Sequence, residues 1–412
     1  MTGNRKSSKH TANLAQSITG SDDGIGLRVI IAGGGTGGHL FPGIAIAQAF
    51  TGKDPGTEIL FVGAGNTFEK TTVGKAGFNH KSIPAEGIKG RGFLRQLRSV
   101  LKIPEGMFES FKIIRDFKPN LVVGFGSYSS GPLIITARLL SIKIALHEQN
   151  IIPGITNRIL SRFADRIYVS FEDTKKRLSS KKVILTGNPL RREIICAAGK
   201  NITADSSDYN TQFTVLVLGG SQGAHKINIA VIETLPLLKN KEKYFFVHQT
   251  GTQDEQYVAD SYKRAGISCM VKAFFEDMAE RYSEANLIIC RAGATTVAEV
   301  TVMGIGAIFI PYPYAADDHQ SLNASALSNS GASEMILEKD LTAEILSEKI
   351  EYFSRYPEEL NKMALSAKKL GRPDAAEFIV NDCYRIVGSP KSKTLKAGDH
   401  GPEVSSQEIK KV

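Results

Sequence analysis

One histidine, His39, ends a run containing Gly33, Gly34, Gly35, Gly37 and Gly38, between an apolar stretch and a segment of helical character. Imidazole titrates near neutrality, so a histidine at the C-terminal edge of a parallel strand can act as a general base, although an isolated histidine is more often structural. The glycines match the GxGxxG spacing of dinucleotide sites. Such a site also needs an acid at the end of the next strand to hold a ribose diol, and EILFVGAGNTFEK places Gly63, Ala64 and Gly65 there. The run therefore reads as backbone that something bulky or anionic approaches closely, with Pro42 available for the first helical turn.

Other segments have related chemistry. Gly219, Gly220, Ser221, Gln222 and Gly223 form a turn whose N–H groups and following helix N-terminus suit a phosphate, and without GK[ST] it is not an ATPase loop. CRAGATTVAEV offers Gly293, Thr295, Thr296 and Glu299; Thr295 and Glu299 share a helix face, where a carboxylate could grip two ribose hydroxyls or simply face solvent. In PYPYAADDHQSLNA, Gln320 and Asn323 are three apart and could both face sugar hydroxyls, unless the loop is merely solvated. HEQN, His147 to Asn150, ends a buried strand with a glutamate and an asparagine that need partners.

Strands must hold these loops. LRVIIA and FTVLVL each run into a glycine turn and then a helix, and EILFVG, NLVVGFG, KIALHEQ, YFFVHQT, LIIC and AIFIPY follow in the two halves. Apolar runs without alternation are buried on both faces, as in parallel sheets between helices. Repeated strand–helix–strand order predicts two doubly wound α/β domains. The join falls near Thr186 to Ile194, giving domains over 26–188 and 189–373 flanked by polar segments, 1–25 and 388–412, that read as disordered tails. The halves do not align as a repeat.

No apolar run reaches the roughly 20 residues of a spanning helix, and the first residues lack the apolar core of a secretory signal. Cys196, Cys269, Cys290 and Cys383 are widely spaced, which predicts a reducing cytosol and neither a zinc site nor a disulfide framework. The formal charge of +9 suits an anionic partner without choosing among nucleic acid, lipid headgroups and pyrophosphate. Between Gly87 and Lys112, Phe93, Leu97, Val100 and Leu101 recur at helical spacing among Lys89, Arg91, Arg95, Arg98 and Lys102. That stripe either packs inward or lies in the interface of an anionic bilayer.

Seven segments together resemble the MurG family, which has the two-domain GT-B glycosyltransferase fold with a cleft between the domains. They are GGGTGGHLFPG from Gly33, GSYSSGP ending at Pro132, HEQN followed by PGITNR, GNPLR ending at Arg191, GGSQGA from Gly219, CRAGATTVAE from Cys290, and DDHQSLNA from Asp317. The resemblance implies that the second half binds UDP-GlcNAc: Phe275 meets uracil through its backbone, Glu299 the ribose, Ser221 and Thr296 the pyrophosphate, and Gln320 with Asn323 the sugar. Arg191, Thr36, Gly37, Gly38, Asn150, Ala294 and Thr295 join them. It implies that the first half holds the lipid I acceptor, with its pyrophosphate near Gly34, Gly35 and Tyr128, and that a final helix at about 374–387 crosses back to the first domain.

The implied reaction is displacement with inversion, in which GlcNAc passes to the C4 hydroxyl of the MurNAc of lipid I and forms lipid II. It needs no cofactor and no metal, since helix N-termini can meet the charge growing on UDP. His39 is the first candidate base and Glu148 the second. The implied location is peripheral, on the cytoplasmic face of the inner membrane, with Phe93, Arg95, Leu97 and Arg98 facing an anionic surface and no nucleic acid as partner. Three departures stand out: a longer N-terminal tail, Ser127 where glycine is common, and His319 in the sugar loop. A UDP-GlcNAc epimerase shares the nucleotide site but has no use for the basic apolar stripe. A nucleotide-dependent oxidoreductase lacks its strand-end acid here, and a non-catalytic nucleotide-binding module would have no need of His39 and Glu148.

Overall fold

The computed structural model describes residues 26–84, 93–178, 180–200, 212–220 and 223–388, with backbone alone for 93–103 and 200. The expected tail 1–25, all of the expected tail 388–412 but Gly388, Lys89, Arg91, Ser221, Gln222 and the side chains of Phe93, Arg95, Leu97, Arg98, Val100, Leu101 and Lys102 therefore lie outside the described residues. Among the described residues, no helix is long and apolar enough to cross a membrane.

The first sheet comprises β1 Arg28–Ala32, β2 Glu58–Gly63, β3 Asn79–Ser82, β4 Leu121–Gly124, β5 Lys143–Glu148, β6 Arg166–Val169 and β7 Val183–Leu185. Its order is 3-2-1-4-5-6-7 and every pairing is parallel. The second comprises β8 Phe213–Leu218, β9 Tyr244–Gln249, β10 Ser268–Lys272, β11 Leu287–Cys290, β12 Gly306–Phe309 and β13 Glu334–Met335, again all parallel, in the order 10-9-8-11-12-13.

The continuous apolar runs of the central strands follow from their burial on both faces. Val29 and Ile31 pack with Leu40, Ile44 and Phe50 of the helix Gly37–Lys53. Ile30 and Ala32 point the other way, toward Ile113, Ile114, Leu133 and Ile134. In the second sheet Val215 and Val217 share one core with Ile227 and Val231, while Leu216 and Leu218 share another with Val297 and Val300.

The chain crosses between sheets after β7, where Leu190, Ile194 and Ala198 pack into the second sheet's core. It returns at the end. In the helix Ala375–Val387, Ile379, Val380, Cys383 and Tyr384 pack beside Val29 and Phe50. Tyr168 donates to Asp382 over 3.0 Å, and Arg166 pairs with the same carboxylate. Strand order reverses between β1 and β4 and between β8 and β11, and ligands of such sheets bind in the crevice at the carboxyl ends of the strands flanking that reversal. The glycine segments after β1, β8 and β11 and the GSYSSGP segment after β4 all leave the sheets there.

Candidate active site

Four helices open at the two reversals: Gly37–Lys53 after β1, Ser130–Leu139 after β4, His225–Thr234 after β8 and Ala294–Met303 after β11. None has a side-chain hydrogen bond at its N-cap or an acid in its first turn. Their leading N–H groups and positive dipole ends are thus left for something else to satisfy. The helix Thr67–Lys75, away from the reversals, has a complete capping box between Asn66 and Glu69. Uncapped N-termini converging on a crevice suit anions such as pyrophosphates.

Glu69 also explains part of the first glycine loop. Its buried carboxylate accepts from the N–H groups of Gly35 at 3.1 Å, Gly65 at 2.7 Å and Asn66 at 3.1 Å. A Cβ on Gly34 would collide with that carboxylate, and one on Gly37 would press on the Phe41 ring. The bulky and anionic neighbours of Gly34 and Gly37 are therefore the chain's own. Gly35 needs glycine for its φ of +90°. A Cβ at Gly38 would find only the Thr36 hydroxyl, 3.8 Å away, so that position is open; Thr36 itself is exposed at the helix N-cap.

His39, half-buried, places Nδ1 3.1 Å from Gln149 Oε1. Burial lowers its pKa, opposed by hydrogen bonds to Gln149 and the Phe125 backbone, and His319 from the other half lowers it further. A neutral imidazole at the end of β1 can accept a proton. Glu148, the second candidate, is differently placed. Oε1 accepts from Asn150 N at 3.0 Å, and Oε2 accepts from Gly154 N at 3.0 Å and Asn157 Nδ2 at 2.9 Å. Burial raises its pKa against those bonds. This carboxylate folds the loop 150–157 back onto β5. Tyr128, after β4, is exposed beside the buried pair Ser127 and Ser129, whose hydroxyls are 2.6 Å apart.

In the second half Glu299 is buried on the first turns of the helix Ala294–Met303 and accepts from Tyr282 Oη at 2.8 Å. Arg191 lies 3.5 Å from its other oxygen, and the guanidinium stacks over the Phe41 ring of the first half, 4.5 Å from the centroid. Burial raises the Glu299 pKa, with Arg191 and Tyr282 opposing it. The side chain is thus held, not the freely exposed helix acid of the alternative reading. Thr295 is 3.4 Å from Asn188 Nδ2, with Ala294 buried and Thr296 half-buried beside it. Phe275 is buried and its N–H already donates to Gln249 Oε1 at 3.0 Å.

Gln320 and Asn323 share the helix His319–Ser328 but not one environment. Half-buried Gln320 accepts from Tyr312 N at 3.0 Å. Asn323, expected beside a sugar, is completely buried: Nδ2 donates to Asn150 Oδ1 and Ala292 O, each at 3.2 Å, and Oδ1 accepts from Ile151 N at 3.2 Å. Every polar atom of that amide is taken by the chain. Just before the helix, Asp317 and Asp318 adopt left-handed φ values of 54° and 52°, a region that Asp and Asn enter more readily than other non-glycine residues. The sequence reading missed Glu69 and Tyr282, and gave His147 and Gln149 no role beyond their place in HEQN. Of the two missed, Glu69 left a local signal, the Asn–x–x–Glu capping spacing ahead of a helix.

Residues 29–169 match the glycosyltransferase family 28 N-terminal domain, and residues 214–379 match the family 28 C-terminal domain. The UDP-N-acetylglucosamine–N-acetylmuramyl-(pentapeptide) pyrophosphoryl-undecaprenol N-acetylglucosamine transferase of Syntrophus aciditrophicus (strain SB) is 48% identical, over 88% of this chain and 99% of that one. The transferase of the same name from Geotalea uraniireducens (strain Rf4) is 44% identical, over 87% and 98%. The crystal structure of MurG from Acinetobacter baumannii superposes with a TM-score of 0.70 at 30% identity, covering 87% of this chain and 99% of that one. A UDP-GlcNAc 2-epimerase from Neisseria meningitidis, with a TM-score of 0.63 at 13% identity over 87% of this chain and all of that one, shares the fold alone. With both family domains matched in order and near-full-length identity to these transferases, the chain belongs to the MurG family of GT-B glycosyltransferases.

Proposed function

We infer that this chain transfers N-acetylglucosamine from UDP-GlcNAc to the C4 hydroxyl of the N-acetylmuramyl group of lipid I, with inversion, forming lipid II for peptidoglycan synthesis. The observation that carries the reading is 48% identity, over almost the whole length of both chains, to a transferase of that name. The donor lies on the second half. Its pyrophosphate meets the N-terminus of the helix Ala294–Met303 through Ala294, Thr295 and Thr296, and the turn of Gly219 to Gly223 that includes Ser221. Glu299, held by Tyr282 and Arg191, accepts from the ribose hydroxyls, and the backbone carbonyl of Phe275 meets uracil. Gln320 holds the sugar, while Asn323 and Asn150 hold the two halves together.

The acceptor pyrophosphate meets the N-terminus of the helix Gly37–Lys53 near Gly34, Gly35, Thr36, Gly37 and Gly38, with Tyr128 alongside. The hydroxyl oxygen attacks the anomeric carbon from the face opposite UDP, its proton passes to His39, and UDP leaves with the electron pair of the broken bond. Uncapped helix ends already aimed at the crevice stabilise the charge that UDP gains. Closure of the halves orients the reactants and excludes water as a competing acceptor.

The enzyme works as a peripheral protein on the cytoplasmic face of the inner membrane. Phe108 and Phe111 are exposed on the helix Phe93–Phe117, as are Leu139 and Leu140 at the end of the helix packed against it; Lys112, which pairs with Glu109, and Arg115, Lys118 and Arg138 are exposed on or beside the same two helices, with Glu105 and Asp116 the exposed acids of the first. Apolar side chains among cations suit an anionic interface.

The direct test is transfer of labelled GlcNAc to a short-chain lipid I analogue, with the anomeric configuration of the product read by NMR. Glu299→Ala is expected to raise the KM for UDP-GlcNAc at least about tenfold, since hydrogen bonds to a charged group contribute about 1.5–3 kcal/mol. Isomerisation of UDP-GlcNAc without transfer would replace this reading with the epimerase.

A further inference from the structure

Behind His39 runs a buried chain of hydrogen bonds in which each partner fixes the proton of the next. It starts at the Gly187 carbonyl, in the segment that leads from β7 to the second half. That carbonyl can only accept, so His147 Nε2, 3.1 Å away, carries a proton. Burial pushes the His147 pKa down to about 4, so the ring is neutral and its Nδ1 accepts. Gln149 Nε2 donates to that Nδ1 at 3.0 Å and also lies 3.2 Å from the His147 carbonyl. Two acceptors on one side orient the amide, so Oε1 faces His39. An amide oxygen only accepts, so the proton shared with it sits on His39 Nδ1. His39 is left with its lone pair on Nε2.

We propose that Gln149 and His147 are positioning residues of the transfer: they hold His39 as its Nδ1–H tautomer, so that Nε2 takes the acceptor hydroxyl's proton. The proposal rests on the reading of His39 as base. Both residues are buried and neither touches the crevice through a free polar atom, so they act through His39 alone. When Nε2 receives the proton, the Gln149 and Phe125 carbonyls favour the imidazolium that forms. The relay requires an amide at position 149, because a glutamate there would lose the donor that His147 Nδ1 accepts.

The test combines ring ¹⁵N chemical shifts of His39, in full-length protein labelled on histidine, with steady-state kinetics. Wild type should show the Nδ1–H form at neutral pH. In Gln149→Leu the tautomers should mix and kcat should fall at least about tenfold, part of the ~10²–10⁴-fold that a positioned base supplies, with the KM for UDP-GlcNAc unchanged. His147→Asn, which keeps an acceptor toward Gln149, should retain more of the Nδ1–H form and more kcat than His147→Leu. An Nε2–H ring in wild type, or an unmoved tautomer in Gln149→Leu, would overturn the relay even where His39→Ala is impaired. Full kcat in His39→Ala would instead overturn the base reading, and this role with it.

Discussion

Asn323 Nδ2 donates to Asn150 Oδ1 over 3.2 Å, joining the helix after the second sheet's polar loop to the segment that ends β5 of the first. The same asparagine accepts from Ile151 N and donates to Ala292 O, so one buried amide ties three segments at the mouth of the crevice. Asn323→Asp removes both donors and sets a carboxylate against two carbonyl oxygens, at a cost of about 1–3 kcal/mol for each buried group left unpaired. The halves should then sit further apart, visible as a larger radius of gyration in X-ray scattering, with a matching loss of kcat/KM. Identical scattering and kinetics would remove the latch.

That latch spans 173 residues of sequence, which is why periodicity and spacing could not find it. The strands were legible because burial on both faces requires unbroken apolar runs, as in Val29 to Ala32 and Val215 to Leu218. The loops were legible because tight turns leave glycines. Side-chain partners were not, since Glu69 reaches Gly35 across 34 residues and Tyr282 reaches Glu299 across 17. Phe93 and its basic neighbours form a helical pattern, but their side chains lie outside the described residues.

His39 and Glu148 separate as bases by pH profile. Burial puts the His39 pKa below its ordinary 6.5, so kcat should be flat near neutrality and fall with acid only as pH drops through that lowered value. Its titratable neighbours are His319, which lowers it when charged, and His147, which stays neutral until far lower pH because burial and the charge on His39 hold its own pKa down. His39→Ala should remove ~10²–10⁴-fold of kcat together with the acid limb. Glu148→Gln should keep the limb but lose about 1–3 kcal/mol of stability, because an amide cannot accept from Asn150, Gly154 and Asn157 at once. The opposite pattern, with the limb lost only in Glu148→Gln, would make Glu148 the base.

Gly34 and Gly38 distinguish packing glycines from ligand glycines. Gly34→Ala drives a methyl into the Glu69 carboxylate and should disrupt the loop, lowering both the melting temperature and turnover. Gly38→Ala enters open space inside a helix and should raise stability by about 0.5–1 kcal/mol. If the backbone there meets the acceptor pyrophosphate, that stabilised variant should show a higher acceptor KM and an unchanged donor KM. A stabilised Gly38→Ala with unaltered acceptor KM would move the pyrophosphate away from this helix end.

Membrane attachment is testable on side chains whose exposure is known. Phe108 is 61% exposed and Phe111 40%, with Lys112 stacked 4.5 Å over the Phe108 ring. A fully buried phenylalanine contributes about 1.5–3 kcal/mol, so replacing both by serine should lower partition into phosphatidylglycerol vesicles by at least about tenfold. Electrostatic attraction should add a salt dependence, since the screening length shrinks from about 10 Å at 0.1 M to about 3 Å at 1 M. UDP affinity should not change, because neither ring belongs to the donor crevice. Partition that withstands both the double substitution and 1 M salt would rule these two rings out as the vesicle contact and return them to ordinary exposed surface.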